Sequence, residues 1–171
     1  MFKKWAVVVA AMLGAVGATS AGAASTTTMC AFSHLKITRS SVLAASGHRS
    51  IVLVFTNSGA ACTLHGYPGA DALSGKLKRV ASAKRTLAGY MGGFTHGKKP
   101  PVVHLSKGQT ASAVLEWSGI GGSPTCVRAR YFLVTPPGAT RSKRFAPPHL
   151  NAEVICHLQI HPVVRGPSGQ G

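Results

Sequence analysis

The chain has 171 residues, with 19 Lys and Arg against 3 Asp and Glu, a formal net charge of +16, and 45% apolar residues. That is the length of one ordinary domain, with enough apolar content for a packed core and too much for a disordered tail. The three carboxylates, Asp71, Glu116 and Glu153, are too few and too scattered for a calcium site or a paired-carboxylate enzyme.

Residues 1–23 read as a signal peptide. Lys3 and Lys4 precede an apolar run at 5–18 (WAVVVAAMLGAVGA), and Ala21-Gly22-Ala23 supplies the small-x-small pattern for cleavage after Ala23 or Ala24. The run falls short of the about 20 residues that span a bilayer, so it is not taken as a membrane anchor. Cys30 follows Thr-Thr-Met and so has no lipobox. Residues 24–29 form a short leader, 30–166 a single domain and 167–171 a flexible, Gly-rich tail. The expected location is secreted, extracellular or in the cell envelope.

Four cysteines, Cys30, Cys62, Cys126 and Cys156, lie beyond the leader. An even count in an exported chain reads as disulfides, with three possible connectivities. No C-x-x-C spacing supports zinc or redox chemistry. The favoured pairing is Cys30–Cys62 with Cys126–Cys156, which closes loops of similar size at the two ends of the chain. Each bridge is worth about 3 kcal/mol on the loop-entropy account.

Helical periodicity is scarce, and short β-rich runs recur between Gly, Pro, Asn and Ser. Residues 35–38 are the first. Residues 50–56 (SIVLVFT) are continuous and β-branched, which predicts a central strand covered on both faces. Runs at 62–66 and 70–73 follow, then a Ser74-Gly75 turn into 76–80. Residues 102–105 and 110–118 flank a turn. In the second, Ala111, Ala113, Leu115 and Trp117 share one face and Ser112, Val114 and Glu116 the other, which sends Trp117 into the core. Residues 126–135, 152–156 and 158–163 complete the set. The pattern predicts an all-β protein, an antiparallel Ig-like β-sandwich of about eight short strands with two disulfides. The long connection 81–101 breaks the rhythm. It carries Tyr90, Met91 and Phe94, and reads as a cover over a sandwich edge in preference to a ligand flap.

Residues 55–69 read F-T-N-S-G-A-A-C-T-L-H-G-Y-P-G, and 103–117 read V-H-L-S-K-G-Q-T-A-S-A-V-L-E-W. Together with Cys126, the V-T-P-P-G exit at 134–138, Cys156 and I-H-P-V-V-R-G at 160–166, they resemble a family of secreted actinobacterial domains of unknown function. Its signature is F-T-N-x-G-x-x-C-x-L-x-G-Y-P. Lys107 stands where that family usually has proline. The resemblance implies an exported β-sandwich, often lipid-anchored, with the two disulfides already favoured. The absent lipobox means that anchoring is not carried over. No catalytic or binding residues come with the family.

Histidines number eight: His34, His48, His65, His96, His104, His149, His157 and His161. Alternation puts His157 and His161 on one side of the last strand, about 13 Å apart and too far to share an ion, so no metal or other cofactor is expected and the histidines read as surface or core-edge groups. There is no G-x-S-x-G elbow, and only three carboxylates could orient a base, so no enzyme is expected. The basic surplus is the strong signal. Lys76, Lys78, Arg79, Lys84, Arg85, Lys98, Lys99, Arg128, Arg130, Arg141, Lys143 and Arg144 fall in turns or on outer faces, with Lys76/Lys78 and Arg128/Arg130 spaced to share a face. Such a surface attracts polyanions. The expected partners are an anionic cell-wall polymer, membrane headgroups or an acidic protein. Specific nucleic acid is excluded by export and by only 6% aromatics. The alternatives are a small-ligand or metal module using the 81–101 loop, and a hydrolase whose site is not legible.

Overall fold

The computed structural model describes residues 28–118, 125–146 and 152–171. The expected signal peptide, most of the leader and His149 lie outside these residues. The strands are β1 (Leu35–Arg39), β2 (Leu43–Ala45), β3 (His48–Asn57), β4 (Cys62–His65), β5 (Gly69–Leu73), β6 (Arg79–Ser82) and β7 (Lys84–Arg85). They continue as β8 (Val102–Leu105), β9 (Thr110–Ser118), β10 (Val127–Ala129), β11 (Tyr131–Thr135), β12 (Lys143–Phe145), β13 (Glu153–Ile160) and β14 (Val164–Arg165). One sheet runs β1-β3-β9-β13-β10, with β2 beside β3, β14 beside β9 and β7 beside β13. A second runs β12-β11-β5-β6, and β4 pairs with β8.

The core lies between the sheets. Ile51, Leu53 and Phe55 of β3 and Ala113, Leu115 and Trp117 of β9 are fully buried, as is Val134 of β11. Trp117 points inward as expected and tilts against Phe132 of the opposite sheet, ring centroids 5.2 Å apart. Both disulfides form with the favoured pairing, Cys30–Cys62 and Cys126–Cys156. The result is an all-β sandwich.

Among the described residues the eight or so expected strands resolve into fourteen, for local reasons. The run 126–135 is two strands, because at Arg130 the chain leaves β13 and pairs with β5, so β10 and β11 belong to different sheets. The runs 152–156 and 158–163 join as β13, with a bulge between Cys156 and Gln159 where His157 takes a φ of 52°. Lys76 and Lys78 sit in a turn and not on a strand. Ser74 N–H donates to Lys78 O, Leu77 takes a φ of 59°, and the strand starts at Arg79. The sheet is also not wholly antiparallel, since β7 pairs parallel to β13.

Both faces of β3 and β9 are covered. One face makes the core. Over the other lie residues 86–94 and the C-terminal residues 167–171. The tail, expected to be flexible, is instead bonded to the sheet and to that connection. Gly169 N–H donates to Ser112 Oγ at 2.8 Å, and Gly171 N–H to Gly93 O at 3.0 Å. The Gln170 amide donates to Met91 O at 3.2 Å.

Replacing Cys126 and Cys156 together by Ser is expected to cost about 2–5 kcal/mol in denaturant unfolding, because the bridge ties β10 to the bulged strand β13. A loss below about 1 kcal/mol contradicts that role.

Candidate functional site

Alternation along β9 puts Glu116 opposite Trp117, on the face away from the core. Left bare, that face would leave the carboxylate in water. Here residues 86–94 close over it, and Glu116 is 1% exposed. Tyr90 N–H donates to its Oε1 at 3.2 Å and Met91 N–H to its Oε2 at 3.0 Å. His48 Nδ1 lies 2.8 Å from Oε1 and His161 Nε2 lies 3.2 Å from Oε2. Four donors from three parts of the chain thus meet one carboxylate.

Glycine makes the approach possible. A Cβ on Gly89 would collide with the Glu116 carboxylate and stand 2.9 Å from His161 Nε2. Gly93, at a φ of 114°, lets the chain turn back under itself, and Phe94 N–H donates to Leu87 O at 2.7 Å. The strap is therefore a folded unit with two amides aimed at one acid.

The buried His161 holds a defined proton. Its Nδ1 lies 3.1 Å from the carbonyl oxygen of Thr86, which can only accept, so Nδ1 carries hydrogen. Its Nε2 faces Glu116 Oε2. The Thr86 hydroxyl, also 3.1 Å from Nδ1, reaches Gln159 Oε1 at 3.0 Å. On the other side the half-exposed His48 ring stacks on Tyr90, centroids 4.6 Å apart, and Tyr90 OH meets Ser46 Oγ at 2.9 Å. A Ser-His-Glu set is near at hand, but the Ser46 hydroxyl is bonded to Tyr90 and not to His48.

Burial pushes the Glu116 pKa up. The Met91 N–H and the His161 and His48 side chains outweigh that, and together they hold it below its ordinary value of 4.5. A carboxylate held in this way by two backbone amides and two imidazoles anchors structure.

The other acids are also engaged. Glu153 is 5% exposed and pairs with Arg49 at 2.6 Å. Asp71 reaches the surface, where it accepts from Ser82 at 2.7 Å and lies 3.6 Å from Arg79. The twelve basic residues singled out by sequence are all exposed, but they do not make one face. Lys76, Lys78 and Arg79 crowd the β5–β6 turn, and Arg130 packs beside Gly75 of that turn. Arg144 lies on the same sheet, over the Tyr131 ring. Arg141 covers Phe32, and Lys143 donates to Ile37 O at 2.8 Å, tying β12 to β1. Lys84 and Arg85 form β7, Arg128 lies on β10, and Lys98 and Lys99 lie in the connection before β8. Arg128 and Arg130 fall to either side of the switch between sheets.

Of the histidines, His34, His65, His96 and His104 are exposed. His157 and His161, expected on one side of a strand, are separated by the bulge: His157 is exposed and His161 fully buried. Among the described residues no group of three or more His, Cys, Asp or Glu is placed to hold a metal ion. Sequence reasoning passed over Glu116 as a site because nothing in its spacing links it to His48 or His161. The available signal was a lone carboxylate inside the apolar strand 110–118.

Residues 30–164 match the domain of unknown function DUF4232. The chain belongs to that family. No curated protein and no solved structure matches it. The DUF4232 match takes in both disulfides, His48, Glu116 and His161, and it stops at Val164. The tail that lies over the site in this DUF4232 domain falls beyond the matched residues.

Glu116→Gln is expected to cost about 1–3 kcal/mol at neutral pH, since it weakens charge-assisted bonds to buried donors. The folded-state pKa is depressed, so the contribution of the ionised carboxylate is complete above about pH 4.5 and drains away as pH falls through the folded value. Denaturant unfolding of both proteins from pH 6 to pH 3 should therefore show their gap narrowing below pH 4.5. A gap that widens on acidification contradicts the assignment. Gly89→Ala should loosen the strap and raise amide exchange at Tyr90 and Met91 without disturbing the core.

Proposed function

We propose that this is an exported, non-catalytic protein of the cell envelope whose basic surface binds an anionic envelope component. The observation that carries the reading is where the acids are. Two of the three side-chain carboxylates are buried inside the fold, and the third is shared with Arg79 and Ser82. Of the twelve singled-out cations all but Arg79 have no carboxylate partner among the described residues, and of these Arg141, Lys143 and Arg144 are engaged with rings or a backbone carbonyl. An ordinary soluble surface mixes the two signs; this one is nearly all positive. Two disulfides suit an oxidising compartment, and residues 1–23 have the pattern of an export signal. No helix among the described residues is long and apolar enough to cross a membrane.

The distribution of charge sets the kind of binding. Cations spread over the β5–β6 turn, β7, β10 and the 95–100 segment suit an extended polyanion better than a single compact ligand. The attraction is long-range and screened by salt.

Binding to a polyphosphate column should weaken steeply between about 50 and 200 mM salt, as the Debye length falls below about 10 Å. Lys76→Glu with Arg130→Glu should lower the salt concentration at which the protein elutes. Absence of retention at low salt, or retention indifferent to salt, contradicts the reading.

A further inference from the structure

Where β7 runs parallel to β13, a hollow of about 250 Å³ opens, lined by Lys84, Thr86, His157, Leu158 and Gln159. Gln159 and Lys84 are register partners on adjacent strands, so both project from the same side of the sheet, about 4.8 Å apart. Gln159 uses its carbonyl oxygen to accept from the Thr86 hydroxyl, which leaves its NH2 group uncommitted. Lys84 Nζ makes no ion pair or hydrogen bond among the described residues, and neither does the His157 ring. His157 is held out of the ladder by the bulge at a φ of 52°, next to the Cys126–Cys156 bridge. The nearest acid along this row is Glu116, one strand beyond Gln159, and it is sealed under the strap with its own donors. The hollow therefore gathers three free donors, one of them cationic, with no carboxylate in its lining.

We propose that this hollow seats a phosphate group, held by Lys84 Nζ, the His157 imidazole and the Gln159 amide. Lys84, His157 and Gln159 bring three donors to one hollow, and a phosphate has oxygens enough to accept from all three where a carboxylate has two. The proposal rests on the polyanion reading and deepens it. The scattered cations attract a phosphate-bearing chain or surface, and the seat fixes one phosphate of it.

The test is NMR titration of the labelled protein with inorganic phosphate at constant ionic strength. Saturable shifts are expected at the His157 ring and the Gln159 side-chain amide, with acetate producing at least about fivefold weaker binding. Lys84→Gln and His157→Asn should each raise the Kd about fivefold or more; Asn tolerates the positive φ, so the bulge survives. Lys36→Gln, at an exposed position on β1, should leave the Kd unchanged. Shifts that never saturate, that acetate reproduces equally, or that both single variants leave untouched overturn the seat. Competition by polyphosphate alone supports a polymer as the source of the phosphate, and competition by phosphatidylglycerol vesicles alone supports a headgroup. Salt-sensitive retention on polyphosphate without saturable phosphate binding overturns the seat and leaves the wider reading standing. Saturable phosphate binding without retention supports the seat and overturns the wider reading.

Discussion

One buried carboxylate organises the outer half of this protein. Glu116 sits near the C-terminal end of β9, on the face that the sandwich core does not use. An ionised acid withdrawn from water needs partners, and this one draws them from β3 through His48, from the end of β13 through His161, and from the strap through Tyr90 and Met91. Meeting that need brings residues 86–94 down on the sheet. The strap then offers Gly93 and Met91 to the C-terminal residues, which complete the cover. Gly89 is the point of tightest tolerance, because any side chain there would occupy the space of the carboxylate.

The same arrangement shapes the electrostatics. A chain with few acids has put two of them inside, Glu153 beside Arg49 and Glu116 between His48 and His161. The cations that are not so engaged face solvent with little of opposite sign nearby. Several others stabilise structure instead: Lys143 links the two sheets, while Arg141 and Arg144 lie over aromatic rings. Charge count alone therefore overstates the number of groups available to a partner, while the burial of Glu116 and Glu153 raises the imbalance that a partner meets.

Much of the fold was legible because it depends on short-range pattern. The run SIVLVFT gave a central strand covered on both sides, the alternation at 110–118 sent Trp117 inward, and the cysteine spacing matched the bridges that form. What the pattern missed depends on long-range closure. Nothing near Arg130 announces that the chain changes sheets there, and a bulge at His157 is invisible to alternation. A polar, Gly-rich tail looks unstructured until the sheet it lies on is known. The Glu116 cluster joins residues 68 and 45 positions apart in the chain, so no local motif could reveal it.

The account turns on the state of that carboxylate, and carbon NMR of the Glu116 side chain reads it directly. The carboxyl resonance followed from pH 7 to pH 2 is predicted to titrate with a midpoint below 4.5, with the Tyr90 and Met91 amides shifting in the same step. A midpoint above 4.5, or amides that do not follow it, would mean that burial prevails over the donors and that Glu116 does not hold the strap.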